Sequence, residues 1–308
     1  MTGDRNNYII QTYSLSFQYS KSKLVLDDLS INVPKGSIYG FLGPNGSGKS
    51  TTMRLLTGII PEQSRSIKLF NKPLEQQLPQ VFTRIGSLVE SPALYLHLSG
   101  INNLKYIAKL RNIPENKIHE FLELVDLTND GKRKVKGYSL GMKQRLAIAM
   151  ALMSEPELLL LDEPVNGLDP NGILEIRKLL IKLNQEKGVS IFVSSHLLSE
   201  IEKMCTHVGI INHGKLKFEG TMKELAEKAS VCKIQLTLKN AANWFEKLKN
   251  EYKATIENEN QIILELNNRE SIPGFTKSLI EKGAELYEIK ILGGLEESFM
   301  TITDEKTK

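Results

Sequence analysis

The chain has 308 residues, 41% of them hydrophobic and 25% charged, which is an ordinary balance for a globular protein with a sizeable core and room for two domains. The net charge of +4 comes from 40 basic and 36 acidic residues without a basic block, so composition argues against a nucleic-acid-binding arm. Two cysteines suit a reducing compartment, MTGDRNNYII lacks the apolar core of a signal peptide, and the longest apolar run, Leu146 to Met153, is far short of a membrane span. Any work at a membrane is therefore expected to need another chain for the spanning part.

From Tyr8 to about Phe70 the pattern predicts short strands (IIQTYSLSF, KLVLDDLSINV, SIYGFL, SIKLF) broken by Lys, Gly, Pro and Asn turn clusters. Within this stretch lies GPNGSGKST: Gly43, Pro44, Asn45, Gly46, Ser47, Gly48, Lys49, Ser50 and Thr51. The glycines let the backbone curl so that successive N–H groups face an anion, and a helix opening at Lys49 adds its positive dipole end. Lys49 supplies a mobile charge for the β- and γ-phosphates, and the Ser50 hydroxyl suits Mg²⁺. A Gly-rich turn without ligand is the plainer reading, but Lys-Ser directly after the last glycine, with a buried strand before and a helix after, favours a phosphate loop. The loop alone says only "nucleotide".

From about Ser91 to Glu155 apolar residues recur three and four apart in NNLKYIAKL, ENKIHEFLELV and LGMKQRLAIAMALM, which predicts a helical block. In YSLGMKQRL, Ser139 is a plausible N-cap and Gly141 exposes backbone N–H groups. After Glu155 predicted strands and helices alternate, which argues for a parallel sheet covered by helices. LLLLDEP places Asp162 at the end of a buried strand, able to hold a Mg²⁺ shell, with Glu163 one residue nearer the γ-phosphate as base or water-orienter. Alone, that segment would read as a core strand ending in two solvated acids. The remaining histidines, His97, His119, His207 and His213, show no metal-ligand spacing. After Gly220 comes a helix-like TMKELAEKAS, then strand, helix, hairpin, helix, strand and a last helix in LEESFMTIT. That order is the order of a ferredoxin-like unit.

Together these motifs resemble the ABC transporter ATPases. Gly43 to Thr51 resembles Walker A, Asp162 and Glu163 Walker B, Ser139 to Met142 the signature sequence, and Asn166 to Pro170 the D-loop. His196 ends IFVSSH at the switch-histidine position, and Tyr19 falls where the family carries an aromatic stacking on adenine, with Phe17 a nearby rival. The resemblance covers residues 1 to about 222. It implies an α/β P-loop NTPase (RecA-like) core over 1–222, with a β-rich N-terminal subdomain and a helical subdomain at about 91–155. A small α+β domain over 223–308 would follow. It also implies ATP and Mg²⁺ as ligands, and a nucleotide-sandwich homodimer or paralogue heterodimer. In that dimer Ser139 and Gly141 would contact the γ-phosphate in trans, His196 would sense it, and Asp169 would carry information between the sites.

Two departures from the family pattern matter. Leu140 replaces a signature glycine, and Glu90 in IGSLVESPALY stands where the family has a glutamine that reaches Mg²⁺. Glutamate there, with a short C-terminal domain, resembles the bacitracin-resistance and lantibiotic-immunity exporter ATPases; the other reading is a neutral substitution. The function expected is the ATPase subunit of an exporter of drugs or antimicrobial peptides, cytoplasmic and held on the inner face of the membrane by separate permease subunits. The alternative is a soluble non-transport ABC ATPase with a scaffold or regulatory role. Nucleic-acid partners are not expected.

Overall fold

The computed structural model describes residues 7–19, 23–62, 64–90, 92–227, 232–268 and 270–292, with positions 299 and 302. The chain divides into two units, residues 1–221 and 222–308. The first begins with β1 (Tyr8–Thr12), β2 (Leu15–Phe17), β3 (Leu26–Leu29), β4 (Asn32–Pro34) and β5 (Ile38–Leu42), followed by α1 (Lys49–Leu56). KLVLDDLSINV, expected as one strand, is two: β3 pairs with β2, while β4 pairs with β1. The chain changes sheets across Ser30 and Ile31, where the buried Thr12 hydroxyl bridges the break. That hydroxyl donates to Leu29 O at 2.7 Å and accepts from Ile31 N at 3.0 Å. With β6 (Ile67–Leu69) and β7 (Lys72–Pro73), an antiparallel sheet of order β4-β1-β6-β7 forms.

The elements that position the site follow. They are β8 (Ile85–Leu88), α2 (Gly100–Leu110), α3 (Ile118–Leu124), α4 (Leu140–Leu152), β9 (Leu158–Leu161), α5 (Pro170–Lys187), β10 (Ser190–Ser195), α6 (Leu198–Glu202), β11 (His207–Asn212) and β12 (Lys215–Thr221). A six-stranded sheet runs β12-β11-β5-β10-β9-β8, parallel except for the edge strand β12. Every residue of β5, β9 and β10 is buried, which accounts for the lack of polar alternation in IYGFL and LLLL: a parallel strand covered on both faces has no solvent side to alternate towards. Tyr39 stacks on Phe192 at 5.4 Å, and Phe41 lies 5.2 Å from the same ring. α5 has strong punctuation: Asp169 caps it by accepting from Gly172 N at 3.1 Å, Pro170 opens it, and Gly188 (φ 67°) closes it left-handed.

Register decides where the chemistry sits. Leu42 lies opposite Ser195, Val193 opposite Leu161, and Leu161 opposite Leu88. Parallel strands end on one side, so the residues after β5, β8, β9 and β10 all emerge along the same edge of the sheet.

The second unit begins with α7 (Met222–Glu227), then β13 (Cys232–Leu238), α8 (Ala241–Leu248), β14 (Ala254–Asn258), β15 (Gln261–Leu266), α9 (Ser271–Glu281) and β16 (Leu286–Leu292). Its antiparallel sheet runs β14-β15-β13-β16, the strand order of a ferredoxin-like unit. Ile234, Leu236, Trp244, Leu264 and Leu279 build a separate core. Apart from positions 299 and 302, the last helix expected, LEESFMTIT, lies outside the described residues. Among the described residues, no helix is long and apolar enough to cross a membrane.

Candidate functional site

The segment from Gly43 to Gly48 joins β5 to α1 and must pass close to β11. A Cβ on Gly43 would lie 2.2 Å from the Ile211 carbonyl oxygen, so this position admits glycine alone. Gly48 (φ 115°) caps α1 without a side-chain hydrogen bond, leaving the first N–H groups of the helix for something outside the chain. The buried Ser47 hydroxyl has no hydrogen-bond partner, an uncommon arrangement in a loop serving structure alone. Lys49 is only 5% exposed; its ammonium donates to Gly43 O at 2.7 Å and to Pro44 O at 3.3 Å and lies 3.3 Å from Glu163.

The acids arrive from β9. Asp162 is buried, and its Oδ1 accepts from the Ser194 hydroxyl at 2.6 Å, while that hydroxyl accepts from Glu163 N at 2.9 Å. One β10 side chain thus fixes both positions of the acidic pair. Glu163 adopts φ 48°, rare for a residue with a Cβ, and such conformations concentrate at functional sites. Its Oε2 lies 2.8 Å from His196 Nδ1.

One cavity gathers Asn45, Gly46, Gly48, Lys49, Ser50 and Thr51 with Glu163 and His196, and adds Val25 and Asn166. Three residues expected to contact phosphate or water from three separate segments therefore share a single space. Tyr19, Glu90, Asp162, Ser139, Gly141 and Asp169 do not line it. Ser139 caps α4, accepting from Met142 N at 3.2 Å, and Leu140 beside it is half exposed. Tyr19 meets Phe17 edge-on at 5.0 Å, and its hydroxyl lies 3.2 Å from Thr51 Oγ1. The Glu90 carboxylate is ion-paired with Arg54.

Among the described residues, no group of three His, Cys, Asp or Glu side chains is arranged to hold a metal. Ser50 lines the cavity and Asp162 precedes Glu163 at the end of β9, so the chain offers a hydroxyl and a carboxylate of the kind Mg²⁺ takes together with phosphates and water. Sequence reasoning did not single out Ser194 or Arg54. The signal for Ser194 was available: a polar residue in a fully buried strand, two places before His196, needs a partner.

The family model for "ABC transporter" matches residues 26–166. The bacitracin transport ATP-binding protein BcrA of Bacillus licheniformis is 47% identical over 236 residues, covering 76% of this chain and 77% of that protein. The lantibiotic transport ATP-binding protein SrtF of Streptococcus pyogenes is 41% identical over 211 residues, 68% of this chain and 90% of that one. Among solved structures, cbiO1 from Clostridium perfringens, part of the ABC transporter complex cbiONQ, superposes with a TM-score of 0.65 at 29% identity, covering 73% of this chain and 95% of that chain.

Proposed function

The chain belongs to the ABC transporter ATP-binding proteins, and we propose that it powers export of a peptide antibiotic of the bacitracin or lantibiotic kind through separate membrane subunits. The observation that carries the chemistry is the convergence of Lys49, Glu163 and His196 on one cavity at the C-terminal edge of the parallel sheet. The relatives' names carry the substrate class.

Lys49, held beneath the loop by two carbonyls, neutralises the β- and γ-phosphates of ATP, in exchange for its contact with Glu163. Glu163 then orients the attacking water and accepts its proton. His196 fixes the rotamer of Glu163 through Nδ1, and its other ring nitrogen would hydrogen-bond the γ-phosphate. Ser194 holds the backbone of Glu163 and one oxygen of Asp162, so the acidic pair is in place before substrate arrives. Mg²⁺, held by Ser50 and Asp162, would supply charge neutralisation on the phosphate oxygens.

Ser139 and Gly141 lie off the cavity in their own chain, which supports their acting on the nucleotide of a second copy. ATP then favours a closed pair of chains because its γ-phosphate is bound by both, and hydrolysis removes that differential binding. The membrane subunits would hold the chain at the inner face of the membrane. To test this reading, the chain is expressed with whatever membrane proteins its neighbouring genes encode in a host sensitive to bacitracin and to a lantibiotic. Resistance should rise with the native chain and vanish with Lys49→Ala. Resistance that survives Lys49→Ala, or none with the native chain, contradicts the proposal.

A further inference from the structure

The hydrolysis scheme makes no use of the second unit, whose strand β16 has a free edge: among the described residues it pairs with β13 alone. Along β13, Leu238 N donates to Asn260 O on the β15 side, whereas Lys239 N donates to Glu285 O on the β16 side. Backbone groups of successive residues turn to opposite sides of a strand, so Gln235 and Thr237 face β16 and bond their partners Lys290 and Glu288. The N–H and C=O groups of Ile289 and Ile291 are therefore turned to the free edge. Sheet edges are ordinarily protected by short length, proline or unmatched charge. β16 has seven residues, no proline, and one acid and one base, Glu288 and Lys290, both exposed. Tyr287 and Ile291 are 67% and 40% exposed. The opposite edge strand, β14, is shorter, has a register shift after Ile256, and its single charge, Glu257, accepts from Gln235.

We propose that β16 pairs antiparallel with β16 of a second copy of the chain, joining two four-stranded sheets into one continuous sheet. The register follows from the charges. A two-fold axis through Ile289 sets that residue opposite its own copy, where the edge-facing N–H and C=O groups of both exchange hydrogen bonds. The same axis sets Glu288 of each copy opposite Lys290 of the other, and brings the exposed Tyr287 beside the exposed Ile291. Moving the axis by one residue sets Glu288 or Lys290 opposite itself, and like charges directly opposite are destabilising. The contact uses no nucleotide, so it stands apart from the two-chain ATP site. It is also far smaller than a standard interface, and its Kd should be on the order of 0.1 mM. At micromolar concentration the nucleotide-free chain is then a monomer, and the strands pair only where the chain is concentrated.

Sedimentation equilibrium of the full chain without nucleotide, from about 10 μM to about 1 mM, tests the pairing. The native chain should pass from mostly monomer to mostly dimer across that range. Glu288→Lys and Lys290→Glu should each weaken association about ten-fold or more, because each sets like charges opposite at both symmetric positions. The double variant carrying both substitutions should return to within about three-fold of the native Kd. So should an equimolar mixture of the two single variants, in which every 288–290 pair is again of opposite charge; two misfolded chains would not rescue each other. A native chain that stays monomeric at the highest concentration overturns the proposal and leaves the edge to a strand of some other protein. Association that the single substitutions leave unchanged, or a mixture no tighter than either variant alone, overturns it as well.

Discussion

Replacing Ser194 with alanine removes one hydroxyl and two hydrogen bonds. The bond to Asp162 Oδ1, at 2.6 Å, has a charged acceptor, and such bonds contribute about 1.5–3 kcal/mol. The bond from Glu163 N, at 2.9 Å, leaves a donor without its acceptor beside a strand that is buried throughout, at a cost of about 1–3 kcal/mol. Allowing for partial relaxation and entry of water, the net loss should be about 3 kcal/mol. In a unit of 221 residues that lowers Tm by about 6–12 °C. Far-UV circular dichroism is the signal to follow, because the chain's one tryptophan, Trp244, reports the second unit. ATP hydrolysis should fall in parallel, since Asp162 and Glu163 both lose their tether. Ser190→Ala is the matched control: Ser190 is buried in the same strand but accepts a single bond, from Gly36 N at 2.8 Å, far from the acids. It should cost about 1 kcal/mol and leave hydrolysis unchanged. Equal effects of the two substitutions on hydrolysis, or full activity in Ser194→Ala, would refute the view that Ser194 sets the acidic pair.

Gly209→Ala should destabilise the first unit by about 1–3 kcal/mol, seen as a lower urea midpoint. The new Cβ would stand 2.3 Å from a Tyr39 hydroxyl that is held in place by Glu219 at 2.7 Å. Alkaline pH should destabilise the fold as well. Burial pushes the Cys205 thiol up, and burial with Glu219 nearby raises the Tyr39 phenol, so both stay protonated in the fold after they would ionise in the unfolded chain. Their stabilisation is complete below the unfolded values, about 8.5 for cysteine and about 10 for tyrosine, and is lost as pH rises beyond them. Urea titrations across that range should show the decline, and Cys205→Ala should remove its earlier limb.

Much of the first unit was legible because its central strands are buried on both faces. The apolar runs at Ile38–Leu42 and Leu158–Leu161 admit few other readings at such lengths, and the turn, cap and helix signals around them agree. Lys49, Glu163 and His196 could be placed together from motif order, since parallel strands deliver their following residues to one edge. What escaped the sequence depends on side-chain contacts between distant segments. The change of sheets after Leu29 turns on a Thr12 hydroxyl from another strand, for which local alternation has no term. Glu90 was read against the metal, but its carboxylate meets Arg54, a residue from α1 that no local pattern marks. Tyr19 was expected to stack on adenine; its hydroxyl meets Thr51 and Arg54, contacts that again no local pattern marks.

The proposed mechanism requires that ATP join two copies of the chain. Sedimentation of Glu163→Gln, in which hydrolysis is blocked but the phosphate loop is intact, tests this most directly. With ATP and Mg²⁺ the 34.7 kDa chain should sediment at about twice its mass, return to monomer when nucleotide is removed, and fail to pair when Ser139→Arg is added. A Glu163→Gln chain that binds ATP tightly yet stays monomeric at saturating nucleotide would contradict the two-chain site.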